Sequence, residues 1–372
     1  MNKRIKFISK ALFFLLVFSA IIFFGSKKTK KENLLDPKNQ EKNELLEKIS
    51  MNFGKEIEPP FEMPAVSEPS FLARVCDISN HGAVSDGKTL NTSAFIEAIS
   101  ECSENGGGRV NVGPGVWLSG PIHLKSNIDL HLEAGAEIKF SPELKNYLPA
   151  VFSRFEGVEY YNYSPFIYAR DAKNIAVTGK GKLNGQENLW MKNKALRQFS
   201  INEIYKMARN NVPVDKRDFG KETFFLQPSF MQFVNSEKIL IEGIEIINSP
   251  NWNIHPIYSK DIIIRNVAID SSAPNTDGIV IDSSENVIIE NSKISSGDDA
   301  IAIKSGADQD GLRVGKPSEN IIIKNSQIDS GHSALAIGSE MSGGVRNVFA
   351  YNLDIDYVDY GIRMKSLPGR GG

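Results

Sequence analysis

Four runs of apolar and β-branched residues, each closed by asparagine, recur along the C-terminal part of the 372-residue chain: IIIRN to Asn266, VIIEN to Asn291, IIIKN to Asn325 and VFAYN to Asn352. A second short strand follows each asparagine, as VAID, SKIS, SQID and LDID, and then turn residues. The same unit occurs earlier as NIAVTGKGKLNG from Asn174 and KILIEGIEIINS from Lys238. A repeat of roughly 20–30 residues built from short strands cannot bury its own apolar face, so it must stack on its neighbours as a solenoid. No helical pattern intervenes between the strands, which disfavours a leucine-rich horseshoe. The pattern therefore predicts an all-β chain folded as a right-handed parallel β-helix, with successive coils about 4.8 Å apart.

Polar signatures sit in the turns of these repeats: Asn275-Thr276-Asp277, Gly297-Asp298-Asp299, Gly331-His332-Ser333 and Arg363-Met364-Lys365. Asp298 lies seven residues after Asn291 and His332 seven after Asn325; Asp277 lies eleven after Asn266 and Arg363 eleven after Asn352. Equal offsets in stacked repeats predict one column of functional groups on one face. Asp, Asn and Gly also make ordinary solenoid turns. That reading accounts for any single motif, but not for the set in register.

Charge narrows the partners. Residues 1–31 hold eight Lys/Arg and no acid, which leaves 35 basic against 45 acidic residues in the remainder, a formal charge of −10. So acidic a solenoid is a poor binder of nucleic acid, and any polyanion it handles needs a local cluster of cations. A basic stretch (Lys3, Arg4, Lys6, Lys10) precedes the apolar run Ala11–Gly25, so residues 1–25 read as a signal peptide or an uncleaved signal anchor. Either predicts export to the periplasm, the medium or the envelope, the second with a membrane tether. Residues 26–70 read as a flexible, charged, proline-containing spacer and residues 71–372 as the folded domain. Cys76 and Cys102 either pair, clipping the first strand to the first helix, or remain two buried thiols. No metal-type Cys/His cluster occurs, and neither metal nor cofactor is expected.

Within the domain, Thr92–Ser103 carries Phe95, Ala98, Ile99 and Cys102 on one face, with Asn91 or Thr92 as N-cap and three glycines beyond, which predicts a short helix capping the open end of the solenoid. Residues 141–165 and 190–226 break the rhythm and read as long loops beside a groove. His81, His123, His131 and His255 read as structural. Trp252 reads as core packing or an aromatic platform for a ligand, and Lys304 and Arg346 either as helpers of the cation cluster or, the simpler reading, as solvated surface charge.

Taken together, the motifs around Asp277, Asp298–Asp299, His332 and Arg363–Lys365 resemble glycoside hydrolase family 28, the polygalacturonases and related pectin-degrading enzymes. GAVSDGKTLNTSAF and NSPNWNIHP extend the likeness over about residues 71–372. The resemblance implies inverting hydrolysis of α-1,4 bonds between galacturonic acid residues. It makes Asp298 the general acid, Asp277 and Asp299 the pair that activates water, and His332 the support of the acid. Asn275, Arg363 and Lys365 then bind substrate, Arg363 and Lys365 through its carboxylate. It also implies further coils after Lys365, one carrying a substrate-contacting Tyr. The chain stops at Gly372, so at this stage the domain reads as truncated at its C-terminal end. Ser333, Met364 and Gln227 depart from the family's usual Gly, Ile and Arg. A monomer acting on pectic polysaccharide is expected. The rival readings are a pectate lyase on the same fold, a catalytically dead pectin-binding β-helix, and a structural adhesin.

Overall fold

The computed structural model describes residues 56–368 and Arg370; the predicted signal or anchor segment and the first part of the spacer lie outside the described residues. The strands stack in three parallel ladders, one on each face of a right-handed parallel β-helix. The first runs from Val75–Asp77 through Ile128–Leu132, Glu237–Glu242, Lys260–Arg265 and Glu285–Glu290. The second includes Ala136–Phe140, Glu245–Ile247, Ala268–Ser271 and Lys293–Ser296. The third, which carries the candidate site, includes Met231–Val234, Ile254–Ile257, Ile279–Asp282, Ile301–Lys304 and Val358–Met364. The strand Ser318–Ile337 passes through all three faces.

The corners explain the asparagines. Asn266, Asn291, Asn325 and Asn352 all have φ between 51° and 54°, the left-handed region that Asn tolerates better than other side chains. Asn352 also bonds along the stack, its Nδ2 donating to Asn325 Oδ1 at 3.1 Å. Inside, the register Ile239–Ile262–Val287–Ile321 places fully buried aliphatic side chains one above another. Each stabilises the stack by roughly 1.5–3 kcal/mol through burial alone.

The predicted cap is present as helix α1, Thr92–Glu104, which buries Phe95, Ala98, Ile99 and Cys102. Asn91 does not cap it through its side chain; the amide instead takes the Val84 N–H and donates to Leu118 O, tying two neighbouring segments together. Cys76 and Cys102 form a disulfide, which decides between the two readings of that pair.

The interrupting segments are more ordered than loops. Residues 141–165 contain an antiparallel hairpin, Val151–Phe155 with Val158–Asn162. Residues 190–226 contain the 16-residue helix α2, Lys194–Arg209, whose buried Ser200, Ile204 and Ala208 recur at a spacing of four. The two inserts pack on one another through Phe155, Tyr160, Ile204 and Phe219. Part of the spacer is also bound rather than free. Residues 56–71 run across the first face, with Val66 and Phe71 against Ala176, Leu240 and Ile263, and Glu56 paired with Lys324. Among the described residues no helix is long and apolar enough to cross a membrane.

Candidate active site

The site is built from turns entering the third ladder. Ile279, Ile301, Leu335 and Ile362 are in register. Two residues back, Asp277, Asp299, Ser333 and Tyr360 share one level; one residue further back, Asp298 and His332 share the next, joined by the His332 N–H to Asp298 O bond of 2.8 Å. The equal offset of seven therefore marks true neighbours. The equal offset of eleven does not. Arg363 pairs with Ala336, which pairs with Ala302 opposite Val280, three positions past Asp277. Seven residues separate Ser271 from Ile279, whereas four separate Ser296 from Ile301, and this longer turn breaks the count.

Each motif has a local cause. A Cβ on Gly297 would lie 2.1 Å from Ala273 O of the preceding coil, so only glycine lets the next turn close under it. Thr276 Oγ1 accepts the Gly297 N–H at 3.1 Å and lies 2.7 Å from Ser271 O, which locks the longer turn and aims Asp277. Asn275 donates to Asn251 Oδ1 at 2.6 Å. Ser333 is wholly buried, whereas its neighbour His332 stands half open at the cleft.

Asp277, Asp298, Asp299, His332, Asn275, Arg363 and Lys365 all line one cleft of about 250 Å³, together with Trp252, Lys304, Glu340, Arg370 and Glu156. Asp298 is the most open carboxylate, with about a third of its side chain exposed. Its Oδ1 accepts the Asp299 N–H at 2.9 Å and lies 3.9 Å from His332 Nδ1. Arg363 Nη1 lies 3.3 Å from His332 Nε2. A guanidinium can only donate, so the Arg363 contact favours a neutral His332 with its proton on Nδ1, the nitrogen facing Asp298, while the Asp359 carboxylate 3.5 Å from Nε2 favours a proton there instead. Arg363 also stacks on the Tyr360 ring, 4.5 Å from its centroid.

Asp277 and Asp299 are buried. Lys365 donates to Asp299 Oδ2, while Asp299 Oδ1 takes no hydrogen bond from any described residue. Burial pushes the Asp277 carboxyl well above the usual range; Lys304 opposes this, and repulsion from Asp298 and Asp299 adds to it. Asp298, Asp299 and His332 bring ligand atoms within 4.8 Å of one another, a set able to hold a divalent cation. The Lys365 ammonium already supplies a positive charge to that set.

Lys304 was not legible as part of this site. It is almost wholly buried, with its ammonium 2.9 Å from Glu340 Oε2, 3.8 Å from Asp277 Oδ2 and 4.9 Å from the centre of the Trp252 ring. Arg370 donates to Glu340 and pairs with Glu156, in the hairpin turn, at 3.0 Å. Arg346, by contrast, is a surface residue paired with Glu319. His255 is buried against Ser229 and Gln232, and His81, His123 and His131 bond locally elsewhere.

The fold and site define a parallel β-helix protein whose turns bring three carboxylates, a histidine and several cations into one open cleft. The chain belongs to glycosyl hydrolase family 28, whose model matches residues 214–372. It is 45% identical to the exopolygalacturonase of Thermotoga maritima, with a TM-score of 0.80 over 82% of this chain and 72% of that one. It is 33% identical to a probable polygalacturonase of Vitis vinifera over 82% of this chain, and 29% identical to an exo-poly-α-D-galacturonosidase of Dickeya chrysanthemi over 81%. The chain spans 59% and 53% of the lengths of those two relatives.

Proposed function

We propose that this chain hydrolyses α-1,4-glycosidic bonds of polygalacturonate with inversion, and that Asp298 is the general acid. The observation that carries the reading is the cleft itself: an open carboxyl beside His332, two buried carboxylates behind it, and Arg363 and Lys365 at its edge. In the proposed step Asp298 gives its proton to the glycosidic oxygen as the bond to C1 breaks. A water attacks C1 from the opposite face and loses its proton to the Asp277–Asp299 pair. Inverting enzymes keep the two carboxyl groups roughly 6.5–9.5 Å apart to admit that water. The Asp299 Oδ1 acceptor suits this task, since no donor among the described residues competes for it. Arg363 offers a fork, and Lys365 a point charge, to the carboxylate of the sugar. Asn275 binds a sugar hydroxyl.

The names of the relatives favour exo action, and the Glu156 turn of the hairpin, standing at the cleft beside Arg370, is consistent with a groove closed at one end. Export rests on residues 1–25 and on the disulfide, which persists in oxidising compartments. Whether residues 1–25 leave a membrane tether is a question of their cleavage.

The test is reducing-sugar release from polygalacturonic acid, with and without EDTA, by the chain and by Asp298→Asn. Metal-independent release that falls by about 10²–10⁴-fold in the variant supports a hydrolase with Asp298 as acid. Loss of release with EDTA, or an unsaturated product, points to a lyase using Asp298, Asp299 and His332 as cation ligands. Binding of oligogalacturonides without turnover by folded protein points to a binding module. Monosaccharide products mark exo action and mixed oligosaccharides endo action.

A further inference from the structure

The role given to Asp277 carries an electrostatic difficulty. A water-activating carboxylate must be ionised, yet Asp277 is buried beside two more carboxylates, Asp298 and Asp299. Removing a carboxylate from water without a partner is strongly unfavourable. The charged groups facing it are Lys304 from its own ladder, Asp298 and Asp299 from the next turn, and Lys365 from beyond the last strand of that ladder. Lys365 is already committed to Asp299. Lys304 donates to Glu340 at 2.9 Å and stands 3.8 Å from Asp277 Oδ2. Its ammonium is buried over the Trp252 ring, and Gly338 O at 3.4 Å, Glu340 and Asp277 surround it. Glu340 is itself held by Arg370.

We propose that Lys304 is a positioning residue for the water-activating pair: its buried ammonium, anchored by Glu340 and Trp252, is the counter-charge that keeps Asp277 ionised and aimed into the cleft. The arrangement is a relay of alternating sign, Arg370 to Glu340 to Lys304 to Asp277, running from the edge of the cleft to its floor. Each link also secures the charge of the next. The two carboxylates outweigh the effect of burial on Lys304 and hold its proton firmly, while the Glu340 carboxyl, in spite of burial, is brought down to about 2 by Lys304 and Arg370. Lys304 needs no contact with the sugar to do this. The inference deepens the hydrolase reading and rests on it for the catalytic consequence, but the charge state of Asp277 is measurable without substrate.

The experiment is carboxyl ¹³C NMR titration of the full chain labelled at aspartate, with Asp277 assigned by its loss in Asp277→Asn, alongside the pH profile of kcat/KM. In Lys304→Met the Asp277 midpoint rises by about one to three pH units, and the acid limb of kcat/KM moves up with it. Lys304→Arg, which keeps the charge, stays near wild type in both. Glu340→Gln leaves the ammonium facing Asp277 alone, so the midpoint stays at or below that of wild type. An unmoved Asp277 midpoint in folded Lys304→Met, or a raised one in Glu340→Gln, overturns the proposal. If Lys304→Met does not fold, the Arg and Gln variants decide the matter by the same readings. A wild type that releases no sugar while its Asp277 midpoint still responds to Lys304 refutes the hydrolase reading and leaves the electrostatic one standing.

Discussion

Two buried charge clusters lie side by side in this molecule and are built on opposite terms. In one, the hairpin and its neighbouring segment dock onto the solenoid. Arg154 meets Asp282 at 2.9 Å, and Arg217 grips Asp310 with both nitrogens, at 2.5 and 3.1 Å. These four partners are buried and paired one to one, with the half-exposed Arg313 reaching Asp310 as well at 3.5 Å. In the other, three aspartates share Lys304 and Lys365, and one side opens to solvent through Asp298 and His332. The clusters touch: Asp282 pairs with Lys304 across a single step of the third ladder. The matched charges attach the inserts, and the mismatched charges line the cleft. The sign of each pKa shift follows. Burial works against the charged form of Asp282, but Arg154 and His255 overcome it and hold that carboxyl below its usual value, whereas Asp277 is held above its own.

The largest way to break the comparison is to unmatch the docking cluster. Asp310→Asn leaves Arg217 buried without a counter-charge, and a loss of about 3–5 kcal/mol in denaturant unfolding is expected, with kcat per folded molecule preserved. Next comes Cys76→Ser with Cys102→Ser. Opening a link that spans 26 residues costs about 3 kcal/mol in the same measurement, again without changing kcat. The third change has the opposite sign. Asp277→Asn removes a carboxylate whose ionisation opposes folding, so stability rises by about 0.5–2 kcal/mol while sugar release is lost. A variant that lost both would show the cleft to be matched after all.

The smallest effect, and the sharpest, is the pH dependence. Asp282, with its folded value lowered, contributes stability that is fully present above the ordinary carboxylate value of 3.8 and is lost as pH falls through the lower folded value. Asp277, with its folded value raised, opposes folding as pH rises above 3.8 and ceases to do so as pH falls back. Thermal melts of wild type and Asp277→Asn should therefore separate at neutral pH and converge near pH 4.

How much of this could be read from the chain depended on whether a feature repeats. The Ile columns and corner asparagines recur coil after coil, so the β-helix was legible before any coordinates. Asp298 and His332 were legible as neighbours because the turns before them have equal length. Arg363 lines the same cleft, but its equal offset with Asp277 was no true register, because the turn before Asp277 is longer and a count along the chain does not see a turn's length in space. Helix α2 was missed because only Ser200, Ile204 and Ala208 are buried along it, while Leu196, Phe199, Ile201, Tyr205 and Met207 interleave with five charged residues and blur any apolar stripe. Lys304 was read as surface charge because lysines seldom lie so deep. Nothing in IAIK shows that Glu340, 36 residues on, waits beside it.

The bound strap of residues 56–71 has a consequence for how the molecule comes apart. A stack of coils is a line: each coil touches only the next, so it can unzip from an end one rung at a time. The strap makes a return path along that line. Glu56 reaches Lys324 across 268 residues of sequence, Glu68 reaches Arg265 across 197, and Ser70 reaches Asn174 across 104. Rungs far apart in the stack are thereby wired in parallel as well as in series. Peeling at one of them must lift the strap from the others, and unfolding takes on the all-or-none character of a ring rather than the gradual fraying of a thread.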